Sequence, residues 1–326
     1  MRRSLLAVLL TMLLPASPAS AGAPTYLAVP AESNPLATVD VGMDSVAAFG
    51  DLDGDGDLDL VAGARDGTLS YFQNTGSAKS PTFTAVSGPG TPLDGVSVTE
   101  YSAPALVDLD GDGDLDLVVG EHTTGFHYFE NTGTPQAPAF VERTGTANPF
   151  DGLDAGDVPI PAFADLDGDG DFDLVAGSAD GTFRYFENTG TAQAPVFAAR
   201  TGTANPLDGL GVTSFSSAAL ADLEGDGDFD LVSGADAGDF HYFENTGSPT
   251  SPAFVEQTGS ENPFAGLTTP VFFSSGSLAN LYGDTAPALI AGMSNGTFVL
   301  FRAPEPGAAP LAAAAVFALL AIRRRR

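Results

Sequence analysis

A nine-residue acidic stretch, Asp51-Leu-Asp-Gly-Asp-Gly-Asp-Leu-Asp59, returns as Asp108–Asp116, as Asp165–Asp173 and, with one glutamate, as Asp222–Asp230. The starts lie 57 residues apart each time, and a worn fifth copy begins 58 residues further on, at Asn280. A period of this length restricts the chain to folds in which one supersecondary unit is arrayed several times. No packed core accepts such a stretch, so it must be a loop at the same place in every unit.

Carboxylates at alternate positions of a tight turn supply the hard oxygen ligands that calcium takes. In the first copy Asp51, Asp53, Asp55 and Asp59 are expected to give side-chain oxygens and Asp57 its backbone carbonyl. The same roles fall to Asp108, Asp110, Asp112 and Asp116 with Asp114, and to Asp165, Asp167, Asp169 and Asp173 with Asp171. In the fourth copy they fall to Asp222, Glu224, Asp226 and Asp230 with Asp228, the longer arm of Glu224 still reaching the ion. Gly54 and Gly56 let the chain wrap where a side chain would strain φ. The spacing matches the first half of an EF-hand loop, but Ala62, Val119, Ala176 and Ser233 stand where its twelfth-position acid should be. An apolar strand-like run, not a helix, follows each loop, which excludes an EF-hand and disfavours a dockerin. A metal-free turn is disfavoured because five acids within nine residues repel one another. About four calcium ions are therefore expected. The fifth copy, Asn280-Leu-Tyr-Gly-Asp284-Thr-Ala-Pro-Ala288, has lost most carboxylates and is expected to be empty.

The third unit shows how the repeat folds. Pro161–Leu166 reads as a first strand running into the loop, and Asp173–Gly177 leaves it as a second, apolar enough for burial on both faces. Asp180-Gly181 is a tight hairpin turn, Thr182–Glu187 a third strand, Asn188-Thr-Gly190 a turn, and Pro195–Arg200 a fourth strand. Four antiparallel strands per unit describe a propeller blade. The ends of the repeat agree: a lone fourth strand at Pro24–Val29 opens it, and a third strand at Gly296–Phe301 closes it without a fourth. Lending the first strand to the last blade covers an exposed edge. The prediction is an all-β five-bladed β-propeller of four-stranded blades, its ring closed by the N-terminal strand. A solenoid of stacked sheets gives no reason for the complementary ends.

These residues carry a resemblance. Asp-x-Asp-x-Asp-Gly-x-x-Asp followed by Leu-Val-x-Gly resembles the FG-GAP/VCBS repeats of integrin α-subunit propellers and many bacterial surface proteins. It implies a propeller over residues 22–303 with calcium held between the first two strands of each blade. The chain has five units, against seven in integrins.

Both ends read as addresses. A charged start, an apolar run and Ala19-Ser-Ala21 make residues 1–21 a secretory signal peptide. At the other end Pro304-Glu-Pro306 precedes an uncharged stretch, Gly307 to Ile322, and four arginines. Residues 304–326 resemble a PEP-CTERM sorting signal. That implies processing by an exosortase, transient membrane insertion through the C-terminal helix, and release to the surface or matrix of a Gram-negative bacterium. A plain membrane anchor is the alternative.

The formal net charge of −30 argues against nucleic acid, whose phosphates are bound by Lys and Arg. With no cysteine the chain has neither disulfides nor a thiol nucleophile. No nucleophile-elbow motif appears, and there is no Gly-rich phosphate loop, since the glycines here separate acids that would repel phosphate. His127 and His241 share a strand position with Arg184 and Ser70, so they read as strand-surface residues; His122, beside Glu121, has no third group nearby in sequence. The acids that break the repeat are Glu100, Glu121, Asp154, Asp157, Asp236 and Asp239, and their spacing forms no motif. The expectation is a calcium-binding, non-catalytic protein that binds extracellular polysaccharide or a surface protein. The rival is a polysaccharide-active enzyme, a glycosidase or lyase, with acids in the central channel.

Overall fold

The structure, a computed structural model, describes residues 23–123, 125–271 and 274–304. The expected signal peptide, and the sorting tail beyond Pro304, lie outside them. Alternating apolar runs and glycine turns produce twenty strands among the described residues. Blade 1 is β2 (Val46–Gly50), β3 (Asp59–Gly63), β4 (Leu69–Asn74) and β5 (Phe83–Val86), hydrogen-bonded in that order. Blade 2 is β6 (Ala103–Val107), β7 (Asp116–Glu121), β8 (Gly125–Asn131) and β9 (Phe140–Arg143). Blade 3 is β10 (Ile160–Ala164), β11 (Asp173–Gly177), β12 (Phe183–Asn188) and β13 (Phe197–Arg200). Blade 4 is β14 (Ala219–Ala221), β15 (Asp230–Gly234), β16 (Phe240–Asn245) and β17 (Phe254–Gln257).

Blade 5 has β18 (Ser274–Ala279), β19 (Ala288–Met293) and β20 (Phe298–Arg302), and takes its outer strand from β1 (Leu27–Ala28) at the other end of the chain. Leu27 pairs with Arg302 and Ala28 with Phe301. The seam is fastened by Tyr26, whose hydroxyl donates to the Pro287 carbonyl at 2.7 Å and whose ring packs 4.5 Å from Phe264. The five-bladed propeller and its closure are as the sequence predicts. Helix is limited, among the described residues, to single 3-10 turns at Ala31–Ser33, Gly145–Ala147, Gly202–Ala204 and Gly259–Glu261.

The first strands of the blades pack around the axis, and the core lies between blades. Leu52, Val61 and Tyr71 of blade 1 meet Leu117, Val119 and Phe129 of blade 2. Each fully buried side chain of this kind contributes roughly 1.5–3 kcal/mol. The second strands are the deepest, with Leu117, Val118 and Val119 wholly out of solvent. The glycine ending each Leu-Val-x-Gly run is a contact residue. A Cβ at Gly63, Gly120 or Gly177 would collide with the carbonyl of Ser102, Pro159 or Ser216 in the next blade.

Antiparallel order puts the acidic loops and the Asn-Thr-Gly turns on one face. The entries to the first strands and the hairpins after the second strands share the other. There Asp44, Tyr101, Val158 and Phe215, equivalent in the repeat, all adopt φ of 50–54°. Each donates its N–H across the blade boundary, Tyr101 to the Arg65 carbonyl at 2.8 Å for example. These inter-blade bonds hold a conformation that β-branched and bulky residues otherwise avoid.

Candidate metal centre

Each acidic loop is shaped by its first aspartate. Asp51 accepts from the N–H groups of Gly54 at 2.7 Å and Gly56 at 2.9 Å, and Asp165 from those of Gly168 at 2.7 Å and Gly170 at 3.1 Å. Asp108 accepts from Asp112 and Gly113, and Asp222 from Gly225 and Gly227. Gly56, Gly113, Gly170 and Gly227 sit at φ of 91–97°, where a side chain would be strained. The turn so formed points carboxylates inward. One oxygen each from Asp108, Asp110 and Asp112 lie within 4.8 Å of one another, as do those of Asp165, Asp167 and Asp169. In blade 1 the converging set is Asp51, Asp53 and Asp59.

The fit to a cation shows in what is left unsatisfied. Asp114, Asp171 and Asp228 are buried, and in each Oδ1 has no hydrogen-bond partner. Desolvation and then the neighbouring loop aspartates push all three carboxyls up to about 6. Buried oxygens without donors are rare and costly. An all-carboxylate, hard-oxygen donor set of this kind suits a divalent cation such as calcium.

The ninth-position aspartates have a second role that the sequence reading missed. Asp116 Oδ1 accepts from Asn131 N–H at 2.7 Å, and Oδ2 from Leu109 N–H at 3.2 Å and the Tyr128 hydroxyl at 2.9 Å. Asp59 and Asp173 make the same three bonds, with Tyr71 and Tyr185. The carboxylate thus ties the loop to the third strand and to the following turn. Burial pushes Asp59 and Asp173 up to about 6 and Asp116 to about 7, despite these donors. The missed signal is in the fifth copy, where Ala288, Leu300 and Ala303 replace aspartate, tyrosine and asparagine together.

Blade 4 departs from this pattern. Tyr242 donates to Glu224 at 2.6 Å instead of to Asp230. Burial and the adjacent Glu224 carboxylate push Asp230 up to about 8. In the fifth loop Arg302 pairs with Asp284 and lies 3.8 Å over the Tyr282 ring. A guanidinium there supplies positive charge from the chain itself.

On the opposite face three of the off-repeat acids come together. His122 Nε2 lies 3.0 Å from Asp157 and Nδ1 3.4 Å from Glu100, so His122 does have third groups, Asp157 from across a blade boundary and Glu100 from the entry to its own blade. Buried Glu121 accepts from Thr99 N–H and contacts His127 Nε2 at 2.6 Å. His127 Nδ1 lies 2.8 Å from Glu142. Burial lowers the affinity of His127 for a proton, but the bonds to Glu142 and Glu121 outweigh it and raise the pKa. His241 makes the equivalent contact with Glu256, also at 2.8 Å. The central channel, about 320 Å³, is lined by Ala105, Ala162, Phe163, Leu220 and similar residues and by no acid among the described residues.

Five four-stranded blades, four of them with a carboxylate-rich loop between the first two strands, define a repeat propeller whose acidic turns could hold cations. A model of the FG-GAP-like repeat matches residues 51–119, 108–176 and 165–233. Those segments span more than half of the chain, and the protein belongs to that family. No curated protein matches the sequence. Among solved structures, the catalytic domain of Coprinopsis cinerea GH62 α-L-arabinofuranosidase is 15% identical with a TM-score of 0.51, over 86% of this chain and 96% of that one. An α-L-arabinofuranosidase from Podospora anserina is 15% identical with a TM-score of 0.49, over 86% and 98%. These likenesses concern the fold alone. The Coprinopsis domain nevertheless corrects the expectation that the chain is not an enzyme, because this five-bladed architecture is shared with a catalytic domain.

Proposed function

We propose that the protein is an exported, calcium-binding propeller that engages extracellular polysaccharide. The observation that carries this reading is a pair of repeat-equivalent grooves. One, on blade 3, is about 690 Å³ and is walled by Arg184, Tyr185, Arg200 and Leu210 between Asp154 and Asp208. The other, on blade 1, is about 570 Å³ and is walled by Ser70, Tyr71 and Val86 between Asp40 and Asp94. Both lie in the size range of ligand sites. In each, two aspartates line the groove and offer acceptors to the hydroxyls of a sugar. Two like grooves suit a polymer of repeated units, because the second contact is made at high effective concentration.

In this reading calcium neutralises the acidic loops and holds the blades in register, through Asp51, Asp108, Asp165, Asp222 and their neighbours. The signal peptide exports the chain, and an exosortase processes the tail and leaves the propeller at the cell surface or in the matrix. A hydrolytic reading is favoured by one observation, the contacts of Glu100 and Asp157 with His122 and of buried Glu121 with His127. Size-exclusion chromatography with the producer's own polysaccharide tests both. Co-elution that weakens in Asp94→Asn/Asp208→Asn supports groove binding. Shortening of the polymer supports the enzyme reading. Neither effect, in calcium, overturns the polysaccharide reading.

A further inference from the structure

We infer that the seventh-position carboxylates Asp114, Asp171 and Asp228 are direct cation ligands, and that Asp57 is not, so the propeller carries two classes of calcium site. The inference rests on the calcium reading above and goes beyond the family resemblance, which assigns that position only a backbone carbonyl.

Asp114, Asp171 and Asp228 retain 8%, 7% and 6% of their accessible surface, and each holds Oδ1 away from every donor in the described chain. Their carboxylates lie within hydrogen-bonding reach of the fifth-position carboxylates of Asp112, Asp169 and Asp226. In blades 2 and 3 those fifth-position groups belong to the converging sets. A buried carboxylate with an unpaired oxygen beside other carboxylates is relieved by a proton or, once ionised, by a cation between them.

Blade 1 has the same sequence letters and a different arrangement. Asp57 is only half-buried, with no such orphaned oxygen. Its loop converges through Asp51, Asp53 and Asp59 instead, and Gln73 Nε2 already donates to Asp53 Oδ2 at 2.5 Å. The residues matching Gln73 in blades 2 and 3 are Glu130 and Glu187, whose carboxylates are held by Arg143 and Arg200. Blade 1 therefore offers fewer free carboxylate oxygens and gives up its ion first.

The test is terbium luminescence of the exported protein, with calcium as competitor. The chain has no tryptophan, so excitation passes through tyrosine. Tyr128 and Tyr185 touch loop carboxylates directly. Asp114→Asn/Asp171→Asn/Asp228→Asn keeps every backbone carbonyl and should weaken calcium at three sites by about tenfold or more, leaving one unchanged. Asp57→Asn, which also removes one loop charge, should titrate like the wild type. Circular dichroism confirms the fold, and Asp171→Asn alone replaces the triple variant if that one fails to fold. A triple variant that binds like the wild type overturns the inference, as does an equal loss in Asp57→Asn. If the wild type binds neither ion, the calcium reading falls with it.

Discussion

Removing calcium should destabilise the propeller far more at pH 8 than at pH 5. Burial holds Asp116 at about 7, Asp59 and Asp173 at about 6 and, with Glu224, Asp230 at about 8 in the ion-free fold. The unfolded chain releases these protons near 3.8. Between those values the native state holds more protons than the unfolded one, so stability falls as pH rises from about 4 through the folded-state values. Moving one carboxyl from 3.8 to about 7 corresponds to about 4 kcal/mol. The groups interact and do not add, yet even one or two such contributions are a large part of a typical domain's 5–15 kcal/mol. A bound cation replaces the missing protons, so its stabilisation grows in the same window. Melting with calcium and with chelator should give a gap at pH 8 exceeding that at pH 5 by about 10 °C, taking 2–4 °C per kcal/mol for a large domain. A gap equal at both pH values, or wider at pH 5, would refute the reasoning.

Tyr128→Phe removes one of three donors to buried Asp116 and should cost roughly 1–3 kcal/mol in chemical denaturation. Tyr242→Phe, whose hydroxyl serves partly exposed Glu224, should cost less. Gly120→Ala drives a methyl group into the Pro159 carbonyl and should lose about 3 kcal/mol, read as a lowered denaturation midpoint. Deleting residues 22–30 removes β1 and Tyr26, exposes the edge of β20 and should yield self-associated protein by light scattering.

Much of the fold was legible because each blade repeats its own punctuation. Asp180-Gly181 predicts a hairpin turn, and Gly181 sits there at φ 82°. The chain opening with a fourth strand and ending on a third already implies closure, and Leu27 duly pairs with Arg302. Metal-competent loops were legible for the same reason, since acids alternating with glycine have few other uses. What stayed hidden is what depends on distance across the sheet or on breaking the repeat. Tyr128 lies 12 residues beyond Asp116 and reaches it only because β7 and β8 pair in one register. Asp57 and Asp114 are the same letter at the same loop position, and their different burial is a tertiary property.

The blade 2–3 boundary shows how a repeat conceals a singular site. Ser45, Ser102 and Ser216 each hook their hydroxyl to carbonyls of the preceding blade. The equivalent residue at this boundary is Pro159, which has no hydroxyl to offer. There Asp157 instead meets His122 of the preceding blade, beside Glu100. Periodicity averages such residues away, because it finds what the blades share. The chemistry that distinguishes this protein from a bare repeat ring lies where one blade stops resembling the others, on the face away from the acidic loops.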